Sequence, residues 1–299
     1  MDLDDFIITV FCRLDDLIAQ VSGGRRLRQR GPQATLADSE VLTMEVVGAY
    51  LSLGQDQALY AYFRRHYRHF FPALGRVHRS TFVRQAANLW ALKERLWQAL
   101  LRQAAARGSD PDFALIDSFP VPVCGFARAP RCRRFRGEAA YGHDPIVNGP
   151  FYGFRLHVRV CWPGLITGLC VAPANVDERE VAPLVAQGTA GLLLGDRNYW
   201  APWLRDELRA HGVRLLAPYH QARRDPAPRA SALIGHFRGR IEPIFSQLVG
   251  RGTAKRVWAR DRWHLANRLL RTVLLHTLCV VLNLQAGQPP LQLAPLVTL

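Results

Sequence analysis

The sequence predicts an α/β protein: an all-helical segment over residues 1–108, a mixed sheet flanked by helices over 109–285, and a C-terminal tail over 286–299. Three observations predict it. Apolar residues recur at helical spacing through residues 1–107. From Phe113 onward, short apolar runs bounded by Gly and Pro replace that period. Between the two, ARGSDPD at 106–112 loses all periodicity and carries Gly, Ser and Pro, which marks a boundary.

The elements follow in order. An amphipathic helix is expected to about Ala19, then a basic loop, GGRRLRQRGP, at 23–32. Thr35-Leu-Ala-Asp38 reads as a variant capping box before EVLTMEVVGAYLSL, with Gly54 as the stop. QALYAYFRRHYRHFF is a second helix and STFVRQAANLWALKERLWQALL a third, a set compatible with a helix-turn-helix arrangement. In the second, Tyr60, Tyr62, Phe63, Tyr67, Phe70 and Phe71 interleave with Arg64, Arg65 and Arg68. Such mixing suits phosphate contact and base stacking, but the aromatic spacing is equally that of a buried helix face.

The second segment reads as FALIDSF, a buried strand, followed by an arginine-rich loop with five arginines between Arg128 and Arg136. FYGFRLHVRVCW and LITGLCVAPA form a hairpin turning at Pro163-Gly164. VDEREVAPLVA opens a helix; three acids in four residues, Asp177, Glu178 and Glu180, suggest metal ligands, but at a helix start they favour the macrodipole, and that reading is preferred. The strand GLLL leads to Asp196, VRLLAPYH is a further apolar run, and a basic connection, 223–240, enters the helix of Glu242. LLRTVLLHTLCVVLNL contains Arg271 and His276 and reads as a buried helix, not a membrane span.

Composition limits the function. With 299 residues and 49% hydrophobic content the chain has a real core, and its formal charge of +15 asks for a polyanionic partner. The excess lies at the ends: residues 223–299 hold 12 Lys and Arg against 3 acids, whereas 109–222 hold 12 against 11. That suits a nearly neutral catalytic core between phosphate-holding surfaces. Six cysteines without a C-x-x-C pair indicate neither a disulfide framework nor a zinc ribbon, and Cys124, Cys132 and His143 match no common zinc spacing. An acidic start, MDLDDFIITVF, argues against a secretory signal and for the cytoplasm. The chain has no phosphate-binding glycine loop, G-x-S-x-G or H-E-x-x-H, so ATP-driven motors, serine hydrolases and zincin proteases are disfavoured.

Three acids carry the chemistry. Asp117 and Asp196 lie at or near the ends of apolar strands and Glu242 lies on a helix, with separations of 79 and 46 residues that only a folded domain could close. Carboxylates gathered in this way suit two hard divalent cations acting on a phosphodiester. The Arg238–Glu242 spacing is also that of an ordinary helical ion pair. Taken with IDSFPVPVC, FYGFRLHVRVCWPG, APANVDERE, LLLGDRNYW and RGRIEPIFSQL, the three acids resemble the DDE transposases of bacterial insertion sequences, over roughly residues 1–284.

The resemblance implies an RNase H-like core; the strand and helix order is the one expected of it, although periodicity alone fits several α/β folds. It implies Asp117, Asp196 and Glu242 as catalytic and metal-binding residues, with two Mg²⁺ ions, replaceable by Mn²⁺, as cofactors. The implied activity is cleavage at element ends followed by transfer of the 3′-hydroxyl into target DNA. Its partners would be double-stranded DNA and a second protomer of a homodimer, in the cytoplasm at the nucleoid. Arg64, Arg65, Arg68, Arg131, Arg133, Arg134, Arg197, Arg238 and Arg240 are the candidate DNA contacts. The family's usual Tyr and Lys around the Glu are Gly235 and Val249 here, so their roles do not transfer. A metal-dependent endonuclease without joining and a non-catalytic DNA-binding regulator remain alternatives.

Overall fold

The computed structural model describes residues 1–25, 33–106, 108–145, 147–256 and 258–298, apart from the Pro111 side chain. Most of the expected basic loop, 26–32, lies outside the described residues. The chain divides into two compact units. One comprises Met1–Gln103, Gln247–Ala254 and Trp258–Leu299, the other Ala104–Ser246 and Lys255–Val257. The stretch from Trp258 to Gln285, expected with the sheet, thus clusters with the N-terminal helices.

The first unit is helical. Helix α1 (Leu3–Ser22) starts where the Asp2 carboxylate accepts the Asp5 N–H and stops at Gly23, whose φ of 60° is left-handed. Helix α2 (Asp38–Tyr50) is capped by Glu40, which accepts the Ala37 N–H at 2.6 Å, and not by the expected Thr35. It ends before Gly54, where a Cβ would lie 2.3 Å from Trp258; close packing, not helix termination, demands glycine there. Helix α3 (Asp56–His66) stops short of Phe71 as the chain turns toward the Pro72–Gly75 3₁₀ turn. The expected third helix is two, α4 (Arg79–Asn88) and α5 (Trp90–Ala105), broken at Leu89. Tyr60, Phe63 and Phe71 are core, while Arg64, Arg65 and Arg68 are exposed.

The second unit is a mixed six-stranded sheet with helices. Its strands are β1 (Asp110–Gly125), β2 (Ala140–Asp144), β3 (Gly149–Trp162), β4 (Leu165–Pro173), β5 (Gly191–Leu194) and β6 (Val213–Leu216). The order is β2-β3-β1-β5-β6, with β4 sharing the outer edge of β3 with β2. β3 is antiparallel to β1, whereas β1, β5 and β6 are parallel. Helices α6 (Glu178–Ala186) and α7 (Pro202–Ala210) make the parallel crossovers. Val181, Val185, Leu204 and Leu208 from these helices pack on Ala114, Ile116 and Leu193. The expected arginine-rich loop is shorter than predicted, because β1 continues through Pro120 and Pro122 to Gly125. A bulge between Pro122 and Cys124 absorbs the irregularity.

Helices α8 (Pro228–Arg238) and α9 (Glu242–Gly250) follow, joined by a 3₁₀ turn, and α9 carries the chain from the second unit back to the first. Phe237 and Phe245 from this pair meet Phe113 and Phe119 of β1. Helix α10 (Arg262–Gln285) packs on α2 and α4. By length and composition it could cross a membrane, but 83% of its most apolar window is buried inside the protein, which identifies a core helix.

Candidate active site

The parallel pair β1–β5 positions the first two acids. The ladder's last partners are Leu115 and Leu194, and Asp117 and Asp196 each lie two residues farther on. The pairing itself stops there: Asp117 continues within β1, whereas Asp196 lies past the end of β5, and the two carboxylates are close enough for the charge of Asp196 to act on Asp117. Gly195 leaves room for the Tyr199 ring, from which a Cβ there would lie 2.8 Å. Asp196 then caps the 3₁₀ turn Arg197–Tyr199 by accepting the Asn198 N–H at 2.8 Å.

Asp117 is the most perturbed acid of this region. It accepts the Ser118 N–H at 2.8 Å and pairs with the Arg238 guanidinium at 2.8 Å. Burial pushes its carboxyl up to about 7; Arg238 and the Ser118 N–H oppose the shift, and the charges of Asp196 and Glu178 add to it.

Glu242 does not join this pair. It is exposed on the first turn of α9, while the neighbouring Ile241 and Ile244 are buried. The α8–α9 element brings Arg238, not Glu242, to Asp117. Among the described residues no three His, Cys, Asp or Glu side chains group closely enough to hold a metal.

Glu178 is the residue that the sequence reading weighed as a metal ligand and set aside in favour of the helix dipole. Of the first-turn acids of α6, Asp177 is the N-cap and accepts the Arg179 N–H, and Glu180 is exposed. Glu178 instead accepts the Ser118 hydroxyl at 2.6 Å and pairs with Arg155 at 2.9 Å. Arg155 also donates to the Ser118 hydroxyl at 2.9 Å. A signal existed in the sequence: along β1, Ala114 and Ile116 face the α6–α7 core, and Ser118 places a hydroxyl at the next position of that face.

These groups fit a hard divalent cation. Asp117 within β1 and Asp196, two residues past the end of β5, offer carboxylate oxygens, and Glu178 Oε2 and the Tyr199 hydroxyl are buried without hydrogen-bond partners. Tyr199 is fully buried and feels the charges of Glu178, Asp117 and Asp196. A cation would offset the burial cost that raises the Asp117 carboxyl, and with it the smaller repulsion from Asp196 and Glu178.

The candidate DNA arginines are dispersed. Arg64 and Arg65 line a cleft with His78 and Arg79 in the helical unit, and Arg68 lies against Gly75. Arg131 and Arg133 are exposed after β1, with Arg134 half-buried beside them. Arg240 stacks over Trp162 at 4.9 Å. Arg197 donates to the Tyr219 carbonyl at 2.7 Å and lines a cleft of roughly 400 Å³ with Arg155, Glu178, Trp200 and His220.

Residues 107–254 match the family described as "Transposase DDE domain". No curated protein and no solved structure matches the chain.

Proposed function

Because the chain belongs to the DDE-type transposases, we propose that it cuts DNA at the ends of a mobile element and transfers the freed 3′-hydroxyl into target DNA. The observation that supports this reading is the parallel register of β1 and β5, whose last partners, Leu115 and Leu194, each precede an aspartate by two residues. An RNase H-like core belongs to the same reading, supported by the order β4-β3-β1-β5-β6 with β3 alone antiparallel to β1. Asp117 and Asp196 hold the cation and Glu242 completes the set in the DNA-bound assembly, with two Mg²⁺ ions, or Mn²⁺, as the natural occupants. A divalent cation, when bound, supplies charge neutralisation at the scissile phosphate and activates the attacking oxygen.

The chain's own groups orient the strands. Arg238, released from Asp117, turns to a backbone phosphate, and Arg131, Arg133, Arg134, Arg197 and Arg240 hold the flanking duplex. Arg64, Arg65 and Arg68 give the helical unit its own phosphate contacts. Two DNA ends call for two protomers, so a homodimer acts at the nucleoid.

The test uses labelled DNA from the borders of the encoding locus, with Mg²⁺ or Mn²⁺, comparing the natural protein with Asp196→Asn. Joined products that vanish in the variant support transposition. Cleavage without joining would leave an endonuclease, and binding without chemistry a regulator.

A further inference from the structure

We propose that Glu178 is a further acid of this site, a positioning carboxylate that, together with the Tyr199 hydroxyl, binds the outer hydration shell of a divalent cation held by Asp117 and Asp196. The inference rests on the acid-pair reading above and adds α6 to it. Glu178 is fixed through one oxygen only. Its Oε1 accepts the Ser118 hydroxyl at 2.6 Å and meets Arg155 at 2.9 Å, and Arg155 closes the triangle on Ser118 at 2.9 Å. Ser118 in turn gives its N–H to Asp117, so the carboxylate is tied to the first acid through a single residue. The other oxygen, Oε2, is buried and unpartnered.

Tyr199 is the independent witness. Its side chain is 0% exposed, its hydroxyl has no partner, and it lies within electrostatic reach of Glu178, Asp117 and Asp196. A buried hydroxyl left unpaired costs about 1–3 kcal/mol, so two such groups beside one acid pair mark a place built for a polar ligand. The three acids are not close enough for direct ligation as a set, which puts Glu178 in the outer shell. A helix-dipole role explains none of this: any first-turn acid serves it, Glu180 included, without a serine and an arginine to fix one oxygen.

The experiment is Mn²⁺ titration calorimetry on the full chain near pH 7.5, with melting temperatures of the metal-free variants as the structural control. Glu178→Gln should weaken Mn²⁺ about tenfold at an unchanged melting temperature, Glu178→Asp should recover part of the loss, and Glu180→Gln should stay within about twofold of the natural protein. Tyr199→Phe, which keeps the ring, should lose about threefold. It carries the test if Glu178→Gln does not fold. Natural affinity in Glu178→Gln or, where that variant does not fold, in Tyr199→Phe overturns the proposal, as does an equal loss in Glu180→Gln. Asp196→Asn separates the two levels. If it abolishes Mn²⁺ binding while Glu178→Gln leaves it intact, the acid pair stands and the role of Glu178 falls; if it too leaves binding intact, the acid-pair reading fails.

Discussion

Buried charge is handled in opposite ways by the two units. In the helical unit, Lys93 has no exposure and pairs with Glu45 at 2.5 Å, with the Asn267 side chain at 2.5 Å and the Ala86 carbonyl at 3.0 Å completing its shell. Arg268 and Arg271 meet Asp56 at 3.0 and 3.2 Å and share the Gly54 carbonyl. Burial alone would raise Asp56, but the two guanidiniums outweigh it and leave its carboxyl below the ordinary range. In the α/β unit, burial wins at Asp117, and neighbouring acids reinforce it. One cluster is balanced by its own cations; in the other, burial outweighs the single guanidinium on the acid. If the proposed function holds, a structural ion-pair network and a functional site differ here in the sign of the shift on the acid, not in how much charge is buried.

The largest way to break this comparison is Lys93→Met, which keeps the volume but leaves Glu45 buried with only Arg271, 3.7 Å away. Urea unfolding should show a loss of about 3–5 kcal/mol. A smaller, opposite effect is expected at the acid pair. The Asp117 carboxyl, lifted from 3.8 to about 7, favours the folded state while protonated, so its contribution is full below pH ~4 and lost as pH rises to 7. In metal-free protein at pH 8, Asp117→Asn should therefore raise stability by about 1–3 kcal/mol, and the gain should vanish near pH 4. Asp56→Asn should lower stability at the same pH; a gain in both would erase the distinction.

The smallest effect sharpens the picture within the sheet. His157 on β3 is 1% exposed, neither ring nitrogen has a partner, and burial followed by the Arg155 charge pushes it down to about 4. Its neutral form is the one that folds, so its contribution is full above pH ~6.5 and lost as pH falls through 4. His157→Leu should gain about 2 kcal/mol at pH 5 relative to pH 7.5, measured by thermal unfolding at both.

The sequence made much of the fold legible, because hydrophobic period and turn chemistry are local. The β3–β4 hairpin, turning at Pro163 and Gly164, and the strand before Asp196 lie where Val, Leu, Gly and Pro put them. Local signals failed where tertiary packing decides. The apolar spacing around Leu89 runs unbroken, yet the chain there forms two helices, and Pro120 and Pro122 suggested a loop where β1 continues along β3. Helix α10 was legible as buried, but the set of helices it would join was not, since its apolar faces fit any core. At the site, the two aspartates were visible as polar residues after apolar runs, but Asp117 lies inside β1, which continues to Gly125 along β3, and not at or near its end as expected. Glu178 was set aside, because a glutamate after an N-cap aspartate satisfies the helix dipole whether or not a serine and an arginine wait across the sheet.

The three-residue ladder between β1 and β5, Phe113–Leu115 against Leu192–Leu194, sets a strict reading frame for everything beyond it. A single codon inserted between Leu115 and Asp117, or deleted at Gly195, would leave every acid in the gene and still rotate one carboxylate to the opposite face of the sheet. On the acid-pair reading, copies of such a gene that decay by small in-frame indels would fall silent while their acidic motif still reads as intact. Spacing from the last paired leucine, and not the presence of the aspartates alone, would then separate a working copy from a decayed one.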